Sequence, residues 1–233
     1  MAKKSKEIWK VYKNVFSEFT LRTIFKLSSE GHFDELKSPI SIGKEANIFS
    51  ATKGKDKVIV KIYRLESCNF NQMYNYIKQD VRYTNLRKHR RQIIFAWVQR
   101  EYRNILIARD AGCNVPKPIT FKNNIIIEEF IGDKDPAPML KDSKIKNKTK
   151  FLNEIIKNMK KLYKKGLVHA DLSQFNILNH KNKPYFIDFS QATTTKASEA
   201  DKYLKRDIKN IVKYFKKLGL KVDKDDVYEK ITK

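Results

Sequence analysis

The apolar run at residues 58–63, Val-Ile-Val-Lys-Ile-Tyr, carries one lysine, Lys61, in its interior. Such a run of β-branched and aromatic residues is typical of a β-strand. Burying the charge of a lysine on the inner side of a strand costs several kcal/mol of folding free energy unless an acid pairs with it. Glu101, on a helix predicted later in the chain, is the natural partner. The alternative is a lysine on the solvent face of an edge strand. The paired interpretation requires a helix packed on a sheet and favours an α+β fold.

An antiparallel sheet is expected around this strand. Apolar runs at residues 40–42, 47–49 and 58–63 are separated by turns, one of them Lys-Gly-Lys-Asp at 53–56, which predicts three strands in succession. A helix through Trp97, Glu101 and Ile105 follows, and then a strand at 125–130. Ahead of the sheet, apolar residues at helical spacing predict two short helices that end near Gly31.

The second half of the chain is expected to be mostly helical. Gly132 and the Pro-Ala-Pro run at 136–138 indicate a hinge. Beyond it we predict a helix around residues 155–163, a strand at 185–189, and helices near 203–218 and at the C-terminus. The expected organisation is a helical extension (1–37), a lobe with the sheet (38–131) and a helical lobe (132–233), which together form one domain.

A large positive charge suggests an anionic partner. The chain has 50 Lys and Arg against 26 Asp and Glu, a net charge of +24, and such a field favours polyanions such as RNA. The basic stretches are residues 87–91, 141–150 and 157–165, although each alone is also typical of a solvated surface. Residues 64–92 show no sustained period and are expected to be a flexible insertion.

The remaining composition indicates a reduced protein of the cytoplasm. Cys68 and Cys113 form no CxxC pair, and the four histidines offer no zinc-ligand spacing. We find no apolar run long enough for a membrane span and no apolar stretch of a signal peptide. A membrane partner is therefore not expected.

Phosphoryl transfer from ATP is the chemistry that the polar motifs predict. It needs a carboxylate that orients the acceptor, oxygen ligands for magnesium, a cation on the phosphates and a flap that excludes water. His169-x-Asp171, followed five residues later by Asn176, has the spacing in which the Asp takes the hydroxyl proton and the Asn binds a magnesium ion. Asp188, at the end of an apolar strand, is expected to be the second metal ligand. Lys61 supplies the cation.

Five motifs together resemble the first subfamily of the RIO kinases. They are Ser-x-Gly-Lys-Glu-Ala-Asn from Ser41, Val-Lys-Ile-Tyr-Arg around Lys61, Glu-Phe-Ile-Gly from Glu129 leading into Pro-Ala-Pro-x-Leu-Lys-Asp, His-Ala-Asp-Leu-Ser-x-x-Asn-Ile-Leu from His169, and Phe-Ile-Asp-Phe-Ser-Gln-Ala around Asp188. The likeness covers about residues 20–215. The segment ahead of Ser41 is too short for the winged-helix domain that the second subfamily carries there.

The resemblance implies a bilobal kinase-like fold without the activation segment and the late substrate-binding helices. It implies that Glu129 and Ile131 offer backbone groups to adenine, that Lys61 pairs with Glu101, and that the flap holds the phosphates through Ser41, Gly43, Lys44, Glu45 and Ala46. The implied cofactors are ATP and Mg²⁺, with Mn²⁺ as an alternative ion. Family members act in late maturation of the small ribosomal subunit, so its precursor and RNA are the expected partners. Asp188 is also a candidate phosphoryl acceptor, with Asp171 catalytic.

Three positions depart from the expected pattern. Ile42 stands where the family usually has a threonine, and Glu128 stands where an apolar residue often precedes the hinge. Ala170 replaces the arginine that many protein kinases carry before the catalytic aspartate to receive an activation-loop phosphate. Activation by such a phosphate is therefore not expected.

Two other interpretations remain open. A small atypical kinase of the tRNA threonylcarbamoyladenosine machinery has a similar loop, but would show His-Gly-Asp and Asp-Phe-Gly where this chain has Ala170 and Ser190. A nucleotide-gated assembly factor that hydrolyses ATP and phosphorylates little would use the same Asp171 and Asp188. Aminoglycoside and choline kinases need a longer C-terminal lobe than the residues after Gln191 can build.

Overall fold

The structure, a computed structural model, describes residues 16–83, 86 and 88–233. The first half contains α1 (Glu18–Ser29), β1 (Glu35–Ile42), β2 (Ala46–Lys53), β3 (Asp56–Tyr63), α2 (Phe70–Ile77), a 3₁₀ turn (Val81–Tyr83), α3 (Arg90–Asp110), β4 (Pro118–Lys122) and β5 (Ile125–Glu129). The second half contains a 3₁₀ turn (Leu140–Asp142), α4 (Lys148–Lys164), β6 (Leu167–Val168), β7 (Ile177–His180), β8 (Lys183–Phe186), β9 (Thr193–Thr194), α5 (Ala200–Lys217) and α6 (Lys224–Thr232).

The N-terminal lobe is built on one five-stranded antiparallel sheet with the strand order β1-β2-β3-β5-β4. β3 pairs with β5 so that Ile59 lies opposite Glu128 and Lys61 lies opposite Ile126. Because side chains alternate along a strand, these residues share one face of the sheet, and Val58 and Val60 point to the other. The predicted three strands and the later fourth one are confirmed, and β4 adds an edge strand.

Helix α1 covers the second face of the sheet. Ser17 caps the helix by accepting a hydrogen bond from the Thr20 amide at 3.4 Å, and Gly31, at a φ of +76°, follows its C-terminal end as expected. Ile24 and Leu27 pack with the strand residues in a core of their own. Most of the first of the two predicted N-terminal helices lies outside the described residues.

Residues 64–92 differ from the irregular segment that the sequence suggested. Phe70 to Ile77 forms α2, whose Met73 and Ile77 are buried in the main core. Asp80 is also buried, at 2% exposure, and its carboxylate accepts a hydrogen bond from Arg100 at 3.0 Å. Helix α2 has only two apolar residues on its buried face, which is too few to be recognised as a helical period in the sequence. Packing against α3 stabilises this short helix in the folded protein.

The C-terminal lobe is mostly helical. Helices α4, α5 and α6 share the main core with the two small sheets β6-β9 and β7-β8. The structure confirms the expected antiparallel N-terminal sheet and the mostly helical C-terminal lobe. Among the described residues, we find no helix that combines the length and the apolar character needed to cross a bilayer.

Candidate active site

A cleft with a volume of about 570 Å³ lies between the sheet and the C-terminal lobe. Its lining includes residues of both lobes, among them Ser41, Lys61, Glu128, Glu129, Ile131, Asn176 and Asp188. The sheet face that carries Lys61 forms the roof. The structure thus brings both predicted metal ligands and four of the predicted nucleotide residues, Ser41, Lys61, Glu129 and Ile131, into one concave site. The other predicted site residues do not line it: Gly43, Lys44, Glu45, Ala46, Glu101 and Asp171.

Lys61 connects two acids in the depth of the cleft. Its Nζ lies 2.7 Å from Glu101 Oε1 and 3.1 Å from Asp188 Oδ1, and Tyr63 donates to the second oxygen of Glu101 at 2.7 Å. Burial alone would lower the pKa of Lys61, but Asp188 and Glu101 together raise it well above its usual value. Lys61 is therefore a fixed cation, and the predicted pairing with Glu101 is present.

Asp188 stays ionised although it lies deep in the site. Burial opposes its charge, but Lys61 and the hydrogen bond from the Ser190 hydroxyl, at 2.6 Å, lower its pKa to about 2. Both contacts are made by Oδ1, and the side chain keeps 37% exposure toward the cleft. Its backbone has a φ of +61°, in the left-handed region that few residues other than glycine adopt, aspartate among them.

The loop after β6 carries Asp171 and Asn176. The Asn176 side-chain amide donates to the Asp171 carbonyl at 2.9 Å and to its Oδ2 at 3.1 Å, and Gln191 donates to the same oxygen at 3.3 Å. Burial, and next the charge of Asp188, raise the pKa of Asp171 to about 6. The two donors fix one carboxylate oxygen and leave the other for an incoming group.

Asp207, on α5, holds this loop in place, and sequence reasoning missed it. Its two carboxylate oxygens accept the backbone amides of Ala170 and Leu172 at 2.8 and 2.9 Å, and Arg206 donates to the Ala170 carbonyl. Ala170 has a φ of +62°, so these bonds compensate a strained backbone. A charged residue on the apolar face of a predicted helix was the signal available in the sequence.

His169 has a structural place. Its Nε2 lies 3.1 Å from the Ile187 carbonyl oxygen, and its ring packs against Phe189 at a centroid distance of 4.6 Å. Burial lowers its pKa to about 4, which keeps the ring neutral at physiological pH. The contact ties the loop of Asp171 to the segment after β8 that carries Asp188. The strand predicted at 185–189 thus ends earlier, at Phe186.

Helix α3 contributes more than Glu101, which was the one residue predicted from it. Arg100 is fully buried and donates to the Ser190 carbonyl at 2.9 Å as well as to Asp80. Asn104 donates to the carbonyls of Phe189 and Ala192 at 3.1 and 2.9 Å. The helix therefore fixes the backbone after Asp188 from above. In the sequence these residues stand in the polar run Arg-Glu-Tyr-Arg-Asn at 100–104, which does not separate the buried polar side chains from exposed ones.

The flap between β1 and β2 is a tight turn over the cleft. The Gly43 amide donates to the Ala46 carbonyl at 3.0 Å, and a Cβ on Gly43 would lie 2.9 Å from that oxygen, so glycine is needed there. Ser67 donates to the Lys44 carbonyl at 3.0 Å, and the Arg64 amide donates to the Glu45 carbonyl at 2.9 Å. The flap is thus held by the segment that follows β3.

The hinge connects β5 to the C-terminal lobe. The Ala137 amide donates to the Ile131 carbonyl at 2.9 Å, and a Cβ on Gly132 would lie 2.3 Å from the Asp135 carbonyl oxygen. This close approach accounts for the glycine. Glu129 and Ile131 both line the cleft, in agreement with the expected adenine contacts, which stay a prediction.

Two of the departures from the family pattern have clear structural settings. Ile42, at the end of β1, is exposed at 69%. Glu128 is 7% exposed, and its Oε1 has no hydrogen-bond partner among the described residues. Burial, and next the charge of Glu101, raise the pKa of Glu128 to about 8. A buried acid without a partner is costly and unusual in a folded protein.

The basic stretch at residues 87–91 is not one uniform surface. Arg87 lies outside the described residues, while Lys88 is exposed. Arg90 donates to the carbonyls of Leu65 at 2.7 Å and of Cys68 at 3.1 Å. Arg90 therefore anchors a loop, and only part of the stretch is free to meet a polyanion.

Comparison with known proteins decides the family. A family model described as the RIO domain matches residues 47–227. The chain belongs to the RIO family. The RIO-type serine/threonine-protein kinase Rio1 of Haloferax volcanii is 37% identical over 234 residues, which cover 100% of this chain and 81% of the relative. Rio1 of Methanocaldococcus jannaschii is 40% identical over 225 residues, which cover 96% and 77%.

A solved structure agrees on the fold. The Rio2 kinase from Chaetomium thermophilum, in a complex described as ADP/Mg²⁺-phosphoaspartate, has a TM-score of 0.69 at 22% identity and covers 90% of this chain and 65% of its own. The solved structure shows the bilobal fold, and the family model with the Rio1 relatives shows that this RIO chain is an atypical serine/threonine kinase. Kinase chemistry implies ATP and a divalent metal ion. The match favours the RIO family over the tRNA-modification kinase that the sequence left open.

The donor atoms in the cleft fit such a metal ion. Asp188 offers an ionised carboxylate. The side-chain nitrogen of Asn176 donates to Asp171, which leaves the side-chain oxygen of Asn176 available as a metal ligand. Within the described part of the chain, no group of three or more His, Cys, Asp or Glu could hold an ion alone. Magnesium commonly combines one or two protein oxygens with phosphates and water, which is the arrangement that these donors allow.

Proposed function

We propose that the chain is an ATP- and Mg²⁺-dependent serine/threonine phosphotransferase, with Asp171 as the catalytic carboxylate and Asn176 and Asp188 as metal ligands. The observation that carries the proposal is the position of Lys61, whose Nζ lies 2.7 Å from Glu101 and 3.1 Å from Asp188 inside the cleft. A fixed cation beside an ionised metal-binding carboxylate is what transferring a phosphoryl group requires.

In this proposal each side chain has one task. Lys61 neutralises phosphate oxygens, while Glu101 holds its ammonium group in place. Asp171 accepts the proton of the acceptor hydroxyl through the carboxylate oxygen that Asn176 and Gln191 leave open. The metal ion, held by Asn176 and Asp188, would offset the charge that develops on the phosphates.

The adenine end of the nucleotide is assigned to the hinge. The backbone carbonyl of Glu129 and the backbone amide of Ile131 would meet the base, as the family resemblance implies. The flap, with Ser41, Gly43, Lys44, Glu45 and Ala46, would cover the phosphates with its backbone. The tight Gly43 turn and its anchorage to Arg64 and Ser67 support a flap of defined shape.

A second activity, ATP hydrolysis through Asp188, is supported by one comparison. The related Rio2 structure is described as a phosphoaspartate complex. Here an Asp188 carboxylate oxygen would attack the γ-phosphorus, the bond to the leaving ADP oxygen would break, and water would later cleave the acyl phosphate. The exposure of the Asp188 side chain toward the cleft supports such an attack.

We also propose the small ribosomal subunit precursor, with its RNA, as the partner. The support is the +24 net charge and the exposure of Lys157 and Lys164 on α4 and of Lys165 at its C-terminal cap. Exposed lysines on one helix can release counterions from an RNA backbone. These residues lie apart from the core side of α4, which packs through Ile155, Met159 and Leu162.

Labelled ATP tests the catalytic assignment. Wild-type protein with [γ-³²P]ATP and Mg²⁺, with and without precursor subunits, is expected to release phosphate or form phosphoprotein. Asp171→Asn should stop transfer while ATP affinity persists, because Asp171 addresses the acceptor and not the nucleotide. Loss of ATP binding in this variant, or turnover within tenfold of wild type, would contradict the role. A matched control is Asp142→Asn, an exposed acid at the rim of the same cleft.

A further inference from the structure

Glu128 is a buried acid that the proposed catalytic roles leave unused. It lines the cleft on the same sheet face as Lys61, directly opposite Ile59 on β3. Only 7% of the residue is exposed, and its Oε1 has no hydrogen-bond partner in the described part of the chain. Leaving a buried polar atom unpaired costs about 1–3 kcal/mol. An unpaired atom on a residue that lines the cleft points to a ligand that satisfies it.

Lys61 is not that partner. The ammonium group of Lys61 is already paired with two other acids, since it lies 2.7 Å from Glu101 and 3.1 Å from Asp188. The charged groups that act on Glu128 are Lys61 on β3, Glu101 on α3 and Asp188 after β8, and two of the three are acids. Burial and these negative neighbours favour the neutral, protonated form of Glu128.

A protonated carboxyl group has a specific hydrogen-bond pattern. It presents one O–H donor beside one carbonyl acceptor, whereas an ionised carboxylate presents acceptors alone. The edge of adenine formed by N6 and N7 is complementary, since N6 carries a donor and N7 is an acceptor. The corresponding edge of guanine, with O6 and N7, carries two acceptors and would leave one side of the pair unmatched.

The position of Glu128 suits that edge of the base. If Glu129 and Ile131 hold the N1 and N6 side of adenine and Lys61 meets the phosphates, the N7 side faces the depth of the cleft. Glu128 directly precedes the hinge and lies at that depth, beside Ile59. We propose that Glu128 is a specificity-determining residue that reads the N6–N7 edge of adenine with a protonated carboxyl group.

The inference rests on the proposed nucleotide site and is tested by changing one atom of the base. The affinities of ATP and 7-deaza-ATP, which lacks the N7 acceptor, are measured by calorimetry with wild type, Glu128→Gln and Glu128→Met. One neutral hydrogen bond corresponds to about tenfold in affinity. Wild type should bind ATP about tenfold more tightly than 7-deaza-ATP, and the methionine variant should bind the two equally.

Glu128→Gln serves as the second variant, because an amide supplies one donor and one acceptor at every pH. It should keep the preference for ATP over the deaza analogue. Raising the pH well above 8 ionises Glu128 and should abolish the preference in wild type but not in the glutamine variant. Lys61 and Asp188 do not titrate in that range, since their pKa values lie well above and far below it.

The outcomes separate this inference from the proposed function. If ATP binds and is turned over but 7-deaza-ATP binds wild type equally well, Glu128 does not read N7 and the inference is overturned. An equal preference in wild type and in the methionine variant overturns it as well. If no protein of the set binds ATP, the proposed function itself fails.

Discussion

Replacing Asp207 should disable the chain without touching any group that meets the substrate. The Asp207 carboxylate accepts the amides of Ala170 and Leu172 at 2.8 and 2.9 Å, and the side chain is 1% exposed. Asp207→Asn keeps one acceptor oxygen and turns an NH₂ group toward the other amide. One buried backbone donor is then unpaired, which costs about 1–3 kcal/mol, and Ala170 loses support for its positive φ.

The expected effects are a loss of stability and a larger loss of activity. For a protein of this size, 1 kcal/mol lowers Tm by about 2–4 °C, so Tm should fall by roughly 2–12 °C. A displacement of about 1 Å in a catalytic group can cost about a hundredfold in rate. We therefore expect kcat for ATP turnover to fall about a hundredfold, with KM for ATP nearly unchanged, because Asp171 and not the nucleotide contacts moves.

A matched control lies on the same helix. Asp201 is an exposed aspartate whose Oδ2 is 2.7 Å from Lys205, and surface ion pairs contribute about 0–1 kcal/mol. Asp201→Asn should keep kcat within twofold of wild type. Melting curves and steady-state kinetics are measured on both variants at a temperature where each is folded. The reasoning is refuted if Asp207→Asn retains wild-type kcat, or if the two variants lose activity equally.

Three other predictions concern the cation, the buried acid and the basic helix. ATP with Mg²⁺ at a hundred times its Kd should stabilise the protein by about 2.7 kcal/mol, and Lys61→Ala should remove much of that gain in a melting assay; an equal shift would place Lys61 off the phosphates. The pKa of Glu128 is raised to about 8, so its contribution to stability is complete below its unfolded-state pKa and is lost as the pH rises to 8. The Tm advantage of Glu128→Gln over wild type should therefore grow from pH 5 to pH 8, and a constant difference would contradict this. Binding to small-subunit RNA should weaken roughly a thousandfold between 50 and 200 mM salt if about six phosphates are neutralised, and replacing Lys157, Lys164 and Lys165 by alanine should flatten the slope; salt-independent binding would exclude this interface.

The parts of the fold that depend on local patterns could be predicted from the sequence. The apolar run at 58–63 identified β3, and the lysine inside it led to Glu101, which the structure places 2.7 Å away. That inference succeeded because burying an unpaired charge is so costly that few arrangements are allowed. The hinge glycine was also readable, since Gly132 is required by a close backbone approach.

The parts that depend on tertiary contacts could not. Residues 64–92 looked irregular because α2 is two turns long and gains its stability from packing on α3. Asp207, Arg100 and Asn104 were missed because each bonds to backbone atoms far away in the chain, and no motif records such a contact. The sequence indicates such contacts only indirectly, through a polar residue on the buried face of a helix.

The basic stretch at 87–91 teaches a related point. All the Lys and Arg residues of this stretch carry the same charge, but the guanidinium group of Arg90 donates hydrogen bonds to the carbonyls of Leu65 and Cys68. Replacing Arg90 would therefore loosen a loop and obscure any effect on RNA. Exposed lysines with no such bonds are the better choice for testing the partner, because their loss removes charge and leaves the fold in place.

The most direct test of the proposed active site is the magnesium dependence of ATP turnover in Asp188→Asn. The substitution keeps the size of the side chain and an oxygen for Ser190, so the protein should still fold. Because the pKa of Asp188 is lowered to about 2 beside Lys61, loss of its charge should lower the Tm of the ligand-free protein, and activity is therefore measured at a temperature where the variant is folded. Removing the negative charge from the metal site should abolish turnover at every Mg²⁺ concentration, and no phosphoprotein should form. Turnover within tenfold of wild type, with an unchanged Mg²⁺ dependence, would show that Asp188 does not hold the metal ion.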